Sequence, residues 1–410
     1  MQRVAVLSLH TSPLAQPGVG DGGGMNVYVR ELVSSLASSG VDCTTYTRKW
    51  KDDLPEVIEV EPNHRVVHVQ AGEVDLPKEE LLNAVEEFTD GVAWHLQHRG
   101  GADIVHANYW LSGLAGHRLK HELDLPLVTT FHTFARVKSL GGDVESPIRD
   151  KSELEIIGCA DAIMVSCTEE QSQFQSLYGS APGSIEVVAP GVERAFFSPG
   201  DRRGARHALG LGSGPMLLFV GRIQPLKGLD VAVRTLAEIG RSDAQLIVVG
   251  GASGVEGATE LARVEALIQE LGLVGRVKFY EPQPHHLLST FYRAADVVLV
   301  PSRSESFGLV ALEAAACGIP VDRGHQQLSP AAQGGDRPRQ APWRQAQVCF
   351  PDVRRRDRAA GQRTWRRCLV PQGQAAHPDG QQDRNRARGQ QGGRAVGPQY
   401  ACGCRELQTA

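Results

Sequence analysis

Two pairs of charged residues in the second half of the chain have the types and spacing expected of a diphosphate-sugar site. Arg222 and Lys227 lie five residues apart, directly after the apolar run MLLFVG. Glu305 and Glu313 are separated by seven residues, across the glycine-containing start of a predicted helix. Two cations at the carboxyl end of a strand can neutralise a leaving diphosphate, and two carboxylates can bind sugar and ribose hydroxyls. For each pair taken alone, an exposed charged surface is the alternative interpretation.

The first half of the chain contributes a glycine-rich loop, GVGDGGGMNVYV, at residues 18–29. Gly18, Gly20 and Gly23 satisfy the G-x-G-x-x-G dinucleotide pattern, but eight residues separate Gly18 from the preceding strand. That distance disfavours a dinucleotide site, in which the glycines form the strand–helix turn itself. The loop is then either a mobile connection or, through the glycines next to the helix, a backbone surface for a bulky anionic ligand.

Alternating strand and helix patterns over residues 1–321 predict an α/β fold with two doubly wound, Rossmann-like lobes. In the first lobe, short apolar strands such as RVAVLSL, DIVHAN and LVTTFH alternate with helices, among them the segment 78–99. A stretch rich in glycine, proline and charge at 190–215 predicts a linker. A second series of alternating strands and helices follows, and it ends at residue 321 before a complete second lobe is formed. We therefore expect domains at 1–195 and 205–321, the second of them incomplete.

The strand–helix pattern ends at Val321, and the composition changes there. Residues 322–410 contain 16 Arg, 15 Gln and no Lys, and their charge is +9 against −13 for the rest of the chain. They hold eight Val, Leu or Phe residues and no Ile, too few to build a core. A disordered basic tail and a nucleic-acid-binding tail are alternatives, although the missing lysines disfavour nucleic acid as a partner. The abrupt change in mid-fold favours a third hypothesis, a shift of reading frame near Val321.

The bulk composition excludes several classes of protein. The chain has 410 residues, of which 41% are hydrophobic and 22% charged, and a net charge of −4. It contains no apolar run of about 18 residues, so we expect no membrane-spanning helix. The eight cysteines include no C-x-x-C pair, which predicts neither a zinc site nor a disulfide framework. With the short apolar start of the chain, these features predict a protein of the reducing cytoplasm.

The E-x7-E pair, the R-x4-K pair after a strand and the glycine loop together resemble the retaining family 4 glycosyltransferases of the GT-B fold. The resemblance covers about residues 1–321. Within that family, HTSPLAQPGVGDGGGMNVYV, ANYWLSGLAG, TTFHTFARVK and VAPGVERAFFSPG are similar to the enzymes that act on D-inositol 3-phosphate in mycothiol biosynthesis. The resemblance implies transfer of N-acetylglucosamine from UDP-N-acetylglucosamine to 1D-myo-inositol 3-phosphate. A different acceptor, such as a sugar phosphate, and a non-catalytic remnant with a broken second lobe are the alternatives.

The resemblance also implies a role for each matching residue. The implied acceptor-binding residues are His10, Asp21, Gly22, Gly23, Gly24, Met25, Asn26, Lys78, Tyr109, Thr133 and Arg149. The implied donor-binding residues are Gln16, Pro17, Gly24, Arg222, Lys227, Gln283, Glu305 and Glu313. The implied catalytic residues are His132, which faces the donor sugar, and Arg222 and Lys227, which stabilise the leaving diphosphate. Taken singly, Lys78, Tyr109 and His132 each also have a purely structural interpretation.

The same resemblance implies the mechanism, the cofactor and the partners. No pair of carboxylates is expected on the two sides of the sugar–phosphate bond, as there would be in a glycosidase. The implied mechanism is therefore a front-face one, in which the acceptor attacks on the side from which the diphosphate leaves and the departing phosphate oxygen takes its proton. The chemistry requires no metal, and Mg²⁺ is expected at backbone groups of Tyr292, Arg293 and Ala295. The expected partners are a UDP-sugar donor, a phosphorylated polyol acceptor and a second copy in a homodimer, with neither nucleic acid nor membrane.

Overall fold

The computed structural model describes two β-sheets with helices between their strands, an α/β architecture as predicted. None of the helices in the described part of the chain has the length and apolar character needed to cross a bilayer. The predicted tail beyond Arg323 lies outside the described residues, as does Asp21 of the glycine loop. The described residues are 2–18, 22–140, 145–254, 256–303, 305 and 308–323.

The first sheet has eight strands. They are β1 (Arg3–Leu7), β2 (Asp42–Arg48), β3 (Val57–Glu61), β4 (His64–Val69), β5 (Ile104–Asn108), β6 (Leu127–Thr130), β7 (Ala162–Val165) and β8 (Ser184–Val187). The α-helices between them are α1 (Gly24–Ser38), α2 (Val85–Arg99), α3 (Trp110–Leu123), α4 (Ala135–Leu140), α5 (Pro147–Ile157) and α6 (Thr168–Tyr178). The strand order is β3-β4-β2-β1-β5-β6-β7-β8, and every neighbouring pair is parallel except β3 with β4.

The second sheet has five strands, all parallel. They are β9 (Met216–Val220), β10 (Gln245–Val249), β11 (Val277–Tyr280), β12 (Val297–Leu299) and β13 (Val321–Asp322). The associated α-helices are α7 (Arg202–Ala208), α8 (Leu229–Glu238), α9 (Gly257–Glu270), α10 (Leu288–Ala294) and α11 (Leu309–Ala316). The strand order is β11-β10-β9-β12-β13.

Each sheet has one point at which the direction of winding reverses. In the first sheet the chain moves outward from β1 to β2 and β4, and then returns to add β5 on the other side of β1. In the second sheet the same reversal lies between β9 and β12. Helices on the two sides leave such a point in opposite directions and open a crevice at the carboxyl ends of the strands. The segments that follow β1, β5, β9 and β12 therefore border the two crevices.

Helix α3 packs closely because two of its residues are glycines. A methyl group on Gly116 would lie 2.7 Å from Cδ1 of Leu127 on β6. A methyl group on Gly113 would lie 2.7 Å from Cδ1 of Ile156 on α5. Both distances are shorter than carbon contacts in well-packed proteins, so a larger residue at either position would force the facing Leu127 or Ile156 side chain, or the helix, to shift. The start of α3, at the edge of the first crevice, is thereby fixed.

The structure differs from the sequence-based expectation in three elements. Strand β2, DCTTYTR, has no apolar run to reveal it, yet Thr45 and Thr47 are buried, as β-branched residues in a central strand often are. The predicted linker contains α7, because Asp201 accepts hydrogen bonds from two backbone N–H groups at its start. The predicted helix 78–99 begins as a 3₁₀ helix, Lys78–Ala84, before it continues as α2.

Strand β5 carries a histidine inside the sheet. His106 is 4% exposed, and its Nε2 shares a hydrogen bond with Oγ1 of Thr130 at 2.9 Å. Burial lowers the pKa of His106 to about 4, from an ordinary value of 6.5. The unfolded chain therefore takes up a proton at a higher pH than the folded chain does. The neutral imidazole stabilises the fold above pH 6.5, and this contribution is lost as the pH falls from about 6.5 to about 4.

Replacing His106 is expected to reduce the sensitivity of the fold to acid. In His106→Gln the side chain still reaches Thr130 but no longer titrates. Between pH 7 and pH 4.5 its free energy of unfolding should fall by about 2 kcal/mol less than that of the wild type. Urea denaturation at both pH values measures this difference. His98→Gln, at an exposed position on α2, should keep the wild-type slope, and an unchanged slope in His106→Gln would contradict the prediction.

Candidate functional site

The residues predicted to bind ligand lie after the strands that border the two crevices. His10 follows β1, and Tyr109 follows β5, the neighbour of β1 in the first sheet. Arg222 follows β9, and Glu305 follows β12, the neighbour of β9 in the second sheet. Because parallel strands present their carboxyl ends at one edge, each pair shares a crevice. The tertiary structure thus gathers predicted residues that are far apart in the sequence.

The glycine loop contacts the second lobe at its cationic strand end. A methyl group on Gly23 would lie 3.5 Å from Cζ and Nε of Arg222, so the guanidinium lies directly over the Gly23 backbone. Gly24 is the first residue of α1, and a methyl group on it would lie 3.6 Å from Cδ1 of Leu309, the first residue of α11. The starts of two helices and a guanidinium group therefore meet at one place. All three favour a bound anion, because helix N-termini carry partial positive charge.

A second contact between the lobes lies at the start of the same loop. The side chain of Gln16 donates a hydrogen bond to the carbonyl of Pro282 at 2.9 Å. Gly18 has φ +86°, and a methyl group on it would lie 3.1 Å from Cβ of Pro282. Gln283, the next residue, donates its amide to the carbonyl of Glu281 at 2.8 Å. The predicted donor residue Gln16 thus contacts Pro282, the residue before the predicted donor residue Gln283. Pro17, also predicted to bind the donor, lies between Gln16 and Gly18 in the chain.

Lys227 and Glu305, predicted to bind different parts of the donor, form an ion pair. Nζ of Lys227 donates to Oε2 of Glu305 at 2.8 Å, and the two side chains are 23% and 22% exposed. A methyl group on Gly308, just before α11, would lie 3.4 Å from Cγ of Glu305. The pair therefore lies beside the start of α11. A diphosphate bound there would compete with Glu305 for the ammonium group.

Glu313 lies in a buried hydrogen-bonded network and is 4% exposed. Its Oε2 accepts a hydrogen bond from the Tyr292 hydroxyl at 2.6 Å, and its Oε1 shares one with Nε2 of His285 at 2.7 Å. Burial raises the pKa of Tyr292 well above its ordinary value, and the nearby Glu313 charge adds to this effect. Both oxygens of Glu313 thus have protein partners that hold them in place. Sequence analysis did not single out His285.

Glu31 on α1 is a further residue that the sequence analysis missed. It is half-buried, and burial raises its pKa, while the charge of His285 in the second lobe acts in the opposite direction. The negative charge of Glu313 raises the pKa further. Glu31 is therefore close enough to sense the Glu313 network across the crevice. No spacing in the sequence marks it, because it lies five residues after Asn26 and so on a different face of the same helix.

His132 adopts an unusual backbone conformation two residues after the end of β6. Its φ is +62°, a left-handed value that residues other than glycine adopt uncommonly and that often marks a functional position. Its Nε2 shares a hydrogen bond with Oδ1 of Asn108 at 3.0 Å, and the ring of Tyr28 packs edge-on against it. Burial, together with the charges of His106 and His10, lowers the pKa of His132 to about 3. The imidazole is neutral at neutral pH and can exchange hydrogen bonds with a hydroxyl group.

Tyr109 joins three predicted acceptor residues. Its φ is +74°, and its ring lies 4.9 Å from the ring of His10. On the same ring, the guanidinium carbon of Arg149 lies 5.1 Å from the centroid, within the range of a cation–π interaction. Nη2 of Arg149 in turn donates to the carbonyl and the hydroxyl of Thr133, at 2.8 and 3.1 Å. His10, Tyr109, Thr133 and Arg149 therefore form one cluster, which we call the acceptor cluster.

The charge of Arg149 is already compensated by two carboxylates that the sequence analysis did not single out. Nε of Arg149 donates to Glu153 at 2.8 Å, and Nη1 donates to Glu145 at 2.9 Å. Burial opposes the ionisation of Glu145, but Lys138 and Arg149 outweigh it and hold its pKa below the ordinary value. Arg149 is 3% exposed, so these partners are needed to bury its charge. A phosphate would bind Arg149 by replacing a contact such as the one to Glu145.

The other predicted acceptor residues have different surroundings. Asn26 is 1% exposed and its carboxamide fastens the loop, since it accepts from the Gly23 N–H and donates to Thr11 at 2.8 Å. Met25 packs against the apolar cluster between α1 and the first sheet. Gly22 is buried beside them, and Lys78 lies exposed at the start of the 3₁₀ helix. Their roles in binding remain predictions.

The residues predicted to hold Mg²⁺ provide carbonyl groups at the end of α10. The carbonyl of Tyr292 accepts from the Ala295 N–H at 3.0 Å, and the Arg293 guanidinium donates to the carbonyl of Ser198 at 2.8 Å. Mg²⁺ is usually held by one or two carboxylates together with water. Glu313, the carboxylate next to Tyr292, is engaged with that hydroxyl and with His285. The donor set therefore fits Mg²⁺ poorly, and we assign no chemical step to it.

Comparison with known proteins relates both lobes to sugar transfer. The Glycosyltransferase Family 4 model matches residues 22–196, and the model named Glycosyl transferases group 1 matches residues 201–321. The D-inositol 3-phosphate glycosyltransferase of Acidothermus cellulolyticus is 46% identical over 334 residues, which is 78% of this chain and 74% of that protein. The enzyme of the same name from Mycobacterium tuberculosis is 45% identical, over 78% of this chain and 68% of that protein.

Solved structures agree with this relationship. Sucrose-phosphate synthase from Thermosynechococcus elongatus has a TM-score of 0.72 and 35% sequence identity, and the match covers 78% of this chain and 80% of that one. The lipopolysaccharide glycosyltransferase WaaG, with a TM-score of 0.56 and 21% identity, shares the fold. The two lobes have the GT-B architecture that the sequence predicted. This chain belongs to the family of glycosyltransferases that includes the D-inositol 3-phosphate glycosyltransferases.

Proposed function

We propose that this protein transfers N-acetylglucosamine from UDP-N-acetylglucosamine to 1D-myo-inositol 3-phosphate, with retention of the anomeric configuration, as a step of mycothiol biosynthesis. The observation that carries the proposal is the meeting of two helix starts and the Arg222 guanidinium at the glycine loop, where a diphosphate would be stabilised. The names of the relatives support the acceptor. The compartment that we propose is the cytoplasm predicted from the sequence.

In the proposed reaction the diphosphate leaves toward the second lobe. Arg222 and Lys227 follow β9 and supply two positive charges, and the start of α11 adds backbone N–H groups. Negative charge builds on the β-phosphate as the bond to the sugar breaks, so these groups bind the transition state more strongly than the ground state. The departing oxygen takes the proton of the acceptor hydroxyl. His132, neutral and held by Asn108, would bind a hydroxyl of the donor sugar.

In the same proposal the acceptor lies in the first lobe, over the acceptor cluster. The phosphate would take hydrogen bonds from the Tyr109 and Thr133 hydroxyls and charge from Arg149 and Lys78. Glu145 now holds one nitrogen of Arg149, so binding would exchange a carboxylate for a phosphate. An uncharged inositol cannot replace that carboxylate. The cluster therefore favours a phosphorylated acceptor over a neutral one.

A second candidate acceptor class is the sugar phosphates, because this chain is 35% identical to sucrose-phosphate synthase.

The experiment that tests the main proposal is UDP release from UDP-N-acetylglucosamine by the purified chain, with and without inositol 3-phosphate. Release that requires both compounds supports the proposal. Release that fructose 6-phosphate supports better would favour the second class, and no release with either acceptor would favour a non-catalytic remnant.

Lys227→Ala is expected to impair the chemical step rather than acceptor binding. Removing one group that stabilises the leaving diphosphate should lower kcat by about 10²-fold or more, with the KM for the acceptor within about threefold of the wild type. Steady-state assays of UDP release measure both values. Lys278→Ala, a half-buried lysine on β11 in the same sheet, serves as the matched control. An unchanged kcat would remove Lys227 from this role.

Lys78→Ala is expected to weaken acceptor binding selectively. Loss of one charge-assisted hydrogen bond to phosphate should raise the KM for inositol 3-phosphate by about tenfold, with the KM for the donor unchanged. Because Lys78 is exposed, the fold should survive the change. Lys51→Ala, an exposed lysine outside the predicted site, should behave as the wild type. A larger effect on the donor KM would place Lys78 elsewhere than the acceptor site.

We also propose that residues 322–410 arise from a shift of reading frame. The group 1 model matches up to residue 321, the position at which the composition changes. Sequencing the coding DNA around the Val321 codon and translating all frames tests the idea. We expect one extra or missing base to restore a strand, a glycine pair and a closing helix. Alternative frames without a strand–helix pattern would exclude it.

A further inference from the structure

Three side chains able to bind a metal meet on the outer side of the first lobe. His117 and His121 are four residues apart on α3, so they lie on one face of that helix. Cys159 follows the end of α5, which packs against α3. One ligand atom from each of the three residues lies within 4.8 Å of the other two. The cluster is separate from the two crevices.

The contacts within this cluster have the arrangement of a metal site. Nε2 of His121 lies 3.0 Å from Sγ of Cys159. The rings of His117 and His121 are 4.9 Å apart. On the other side, Nδ1 of His117 lies 3.5 Å from Oε1 of Glu155, which is in the last turn of α5. Two imidazoles from α3 therefore face the thiol that follows α5, and they offer two nitrogens and one sulfur to a metal.

We propose that His117, His121 and Cys159 bind a zinc ion, with a water molecule as the fourth ligand and the Glu155 carboxylate beside His117 orienting its imidazole. Zinc in proteins is four-coordinate and tetrahedral, and imidazole nitrogen, thiolate sulfur and carboxylate oxygen are its usual ligands. Mg²⁺ and Ca²⁺ prefer sites made of oxygen ligands, so this donor set selects against them. On binding, the Cys159 thiol loses its proton to solvent and the thiolate bonds to the metal.

The charges around the cluster are compatible with a bound cation. Lys120 on α3 donates to the carbonyl of Cys159 at 2.9 Å and forms an ion pair with Asp161 at 2.6 Å. Arg118, the other cation beside His117, is paired with Asp90 and Glu122. The local positive charges are thus compensated by carboxylates.

A zinc ion at this position would join α3 and α5 near their carboxyl-terminal ends. The opposite ends of these two helices carry residues of the acceptor cluster, since Tyr109 precedes α3 and Arg149 lies in the first turn of α5. Between the two ends, Gly113 allows α3 to approach Ile156 on α5. The metal would therefore stabilise the pairing of the helices that hold Tyr109 against Arg149. The expected role is structural, because the ligands lie outside both crevices.

The first test is cobalt binding to the full-length protein after removal of metal with EDTA. Co²⁺ bound by a thiolate gives a strong charge-transfer band in the near ultraviolet, and zinc, which binds such sites more tightly, should abolish it. We expect one equivalent of Co²⁺ to produce the band in the wild type. Cys159→Ser should lose the band, whereas Cys167→Ser, the other half-buried cysteine of the described chain, should keep it.

The wild type and both variants contain the same four cysteines beyond residue 323. A band that is lost only in Cys159→Ser therefore comes from Cys159 and not from those four. A band of equal strength in Cys159→Ser, or no band in the wild type, would overturn the proposal. The second test is zinc affinity by competition with a chelating dye. His121→Gln should weaken zinc binding by at least about tenfold, and His98→Gln should not.

Thermal unfolding separates a metal site from a fold that the substitution has damaged. Without metal, His121→Gln should unfold close to the wild-type temperature, because His121 is exposed. With zinc, the wild type should gain stability and the variant should not. An equal gain in both proteins would contradict the proposal. These readouts do not depend on sugar transfer, so they stand or fall separately from the proposed function.

Discussion

The candidate site depends on one geometric constraint, the parallel arrangement of neighbouring strands in both sheets. Parallel strands bring their carboxyl ends to the same edge, and the reversal of strand order opens a crevice there. In the first sheet this places His10 beside Tyr109, and in the second it places Arg222 near Glu305. The close contact of Arg222 with Gly23 then joins the two edges. A longer side chain at Gly23 would occupy the space of the guanidinium group.

The cations of the site are held by carboxylates before any ligand binds. Lys227 pairs with Glu305, and Arg149 pairs with both Glu145 and Glu153. Burying a charge without a partner would lower the stability of the fold by several kcal/mol. These ion pairs therefore keep the cations charged in partly or fully buried positions before a ligand binds. A phosphate that displaces a carboxylate restores the balance of charge. Neutral ligands cannot do so, so the proposed exchange would favour phosphorylated substrates.

Local sequence patterns were sufficient to predict the elements with strong apolar periodicity and the positions of residues directly after them. Arg222 and Tyr109 could be placed because each follows a recognisable strand. Strand β2 escaped detection because threonine supplies its buried face, and α7 because a single capping residue, Asp201, starts it inside a glycine-rich stretch. Periodicity carries no information about such elements, since their stability comes from tertiary packing and capping.

The sequence by itself determined the α/β class, the two-lobed organisation, the family and the positions of the main cations. The tertiary structure alone decided which charges meet. His285 reaches Glu313 across 28 positions of the chain, and the neutral state of His132 results from burial. Spacing rules likewise could not reveal the histidine–cysteine cluster, because two of its residues lie on α3 and the third follows α5. Side-chain partners are set by distances between elements, and these depend on packing, which no local stretch of sequence encodes.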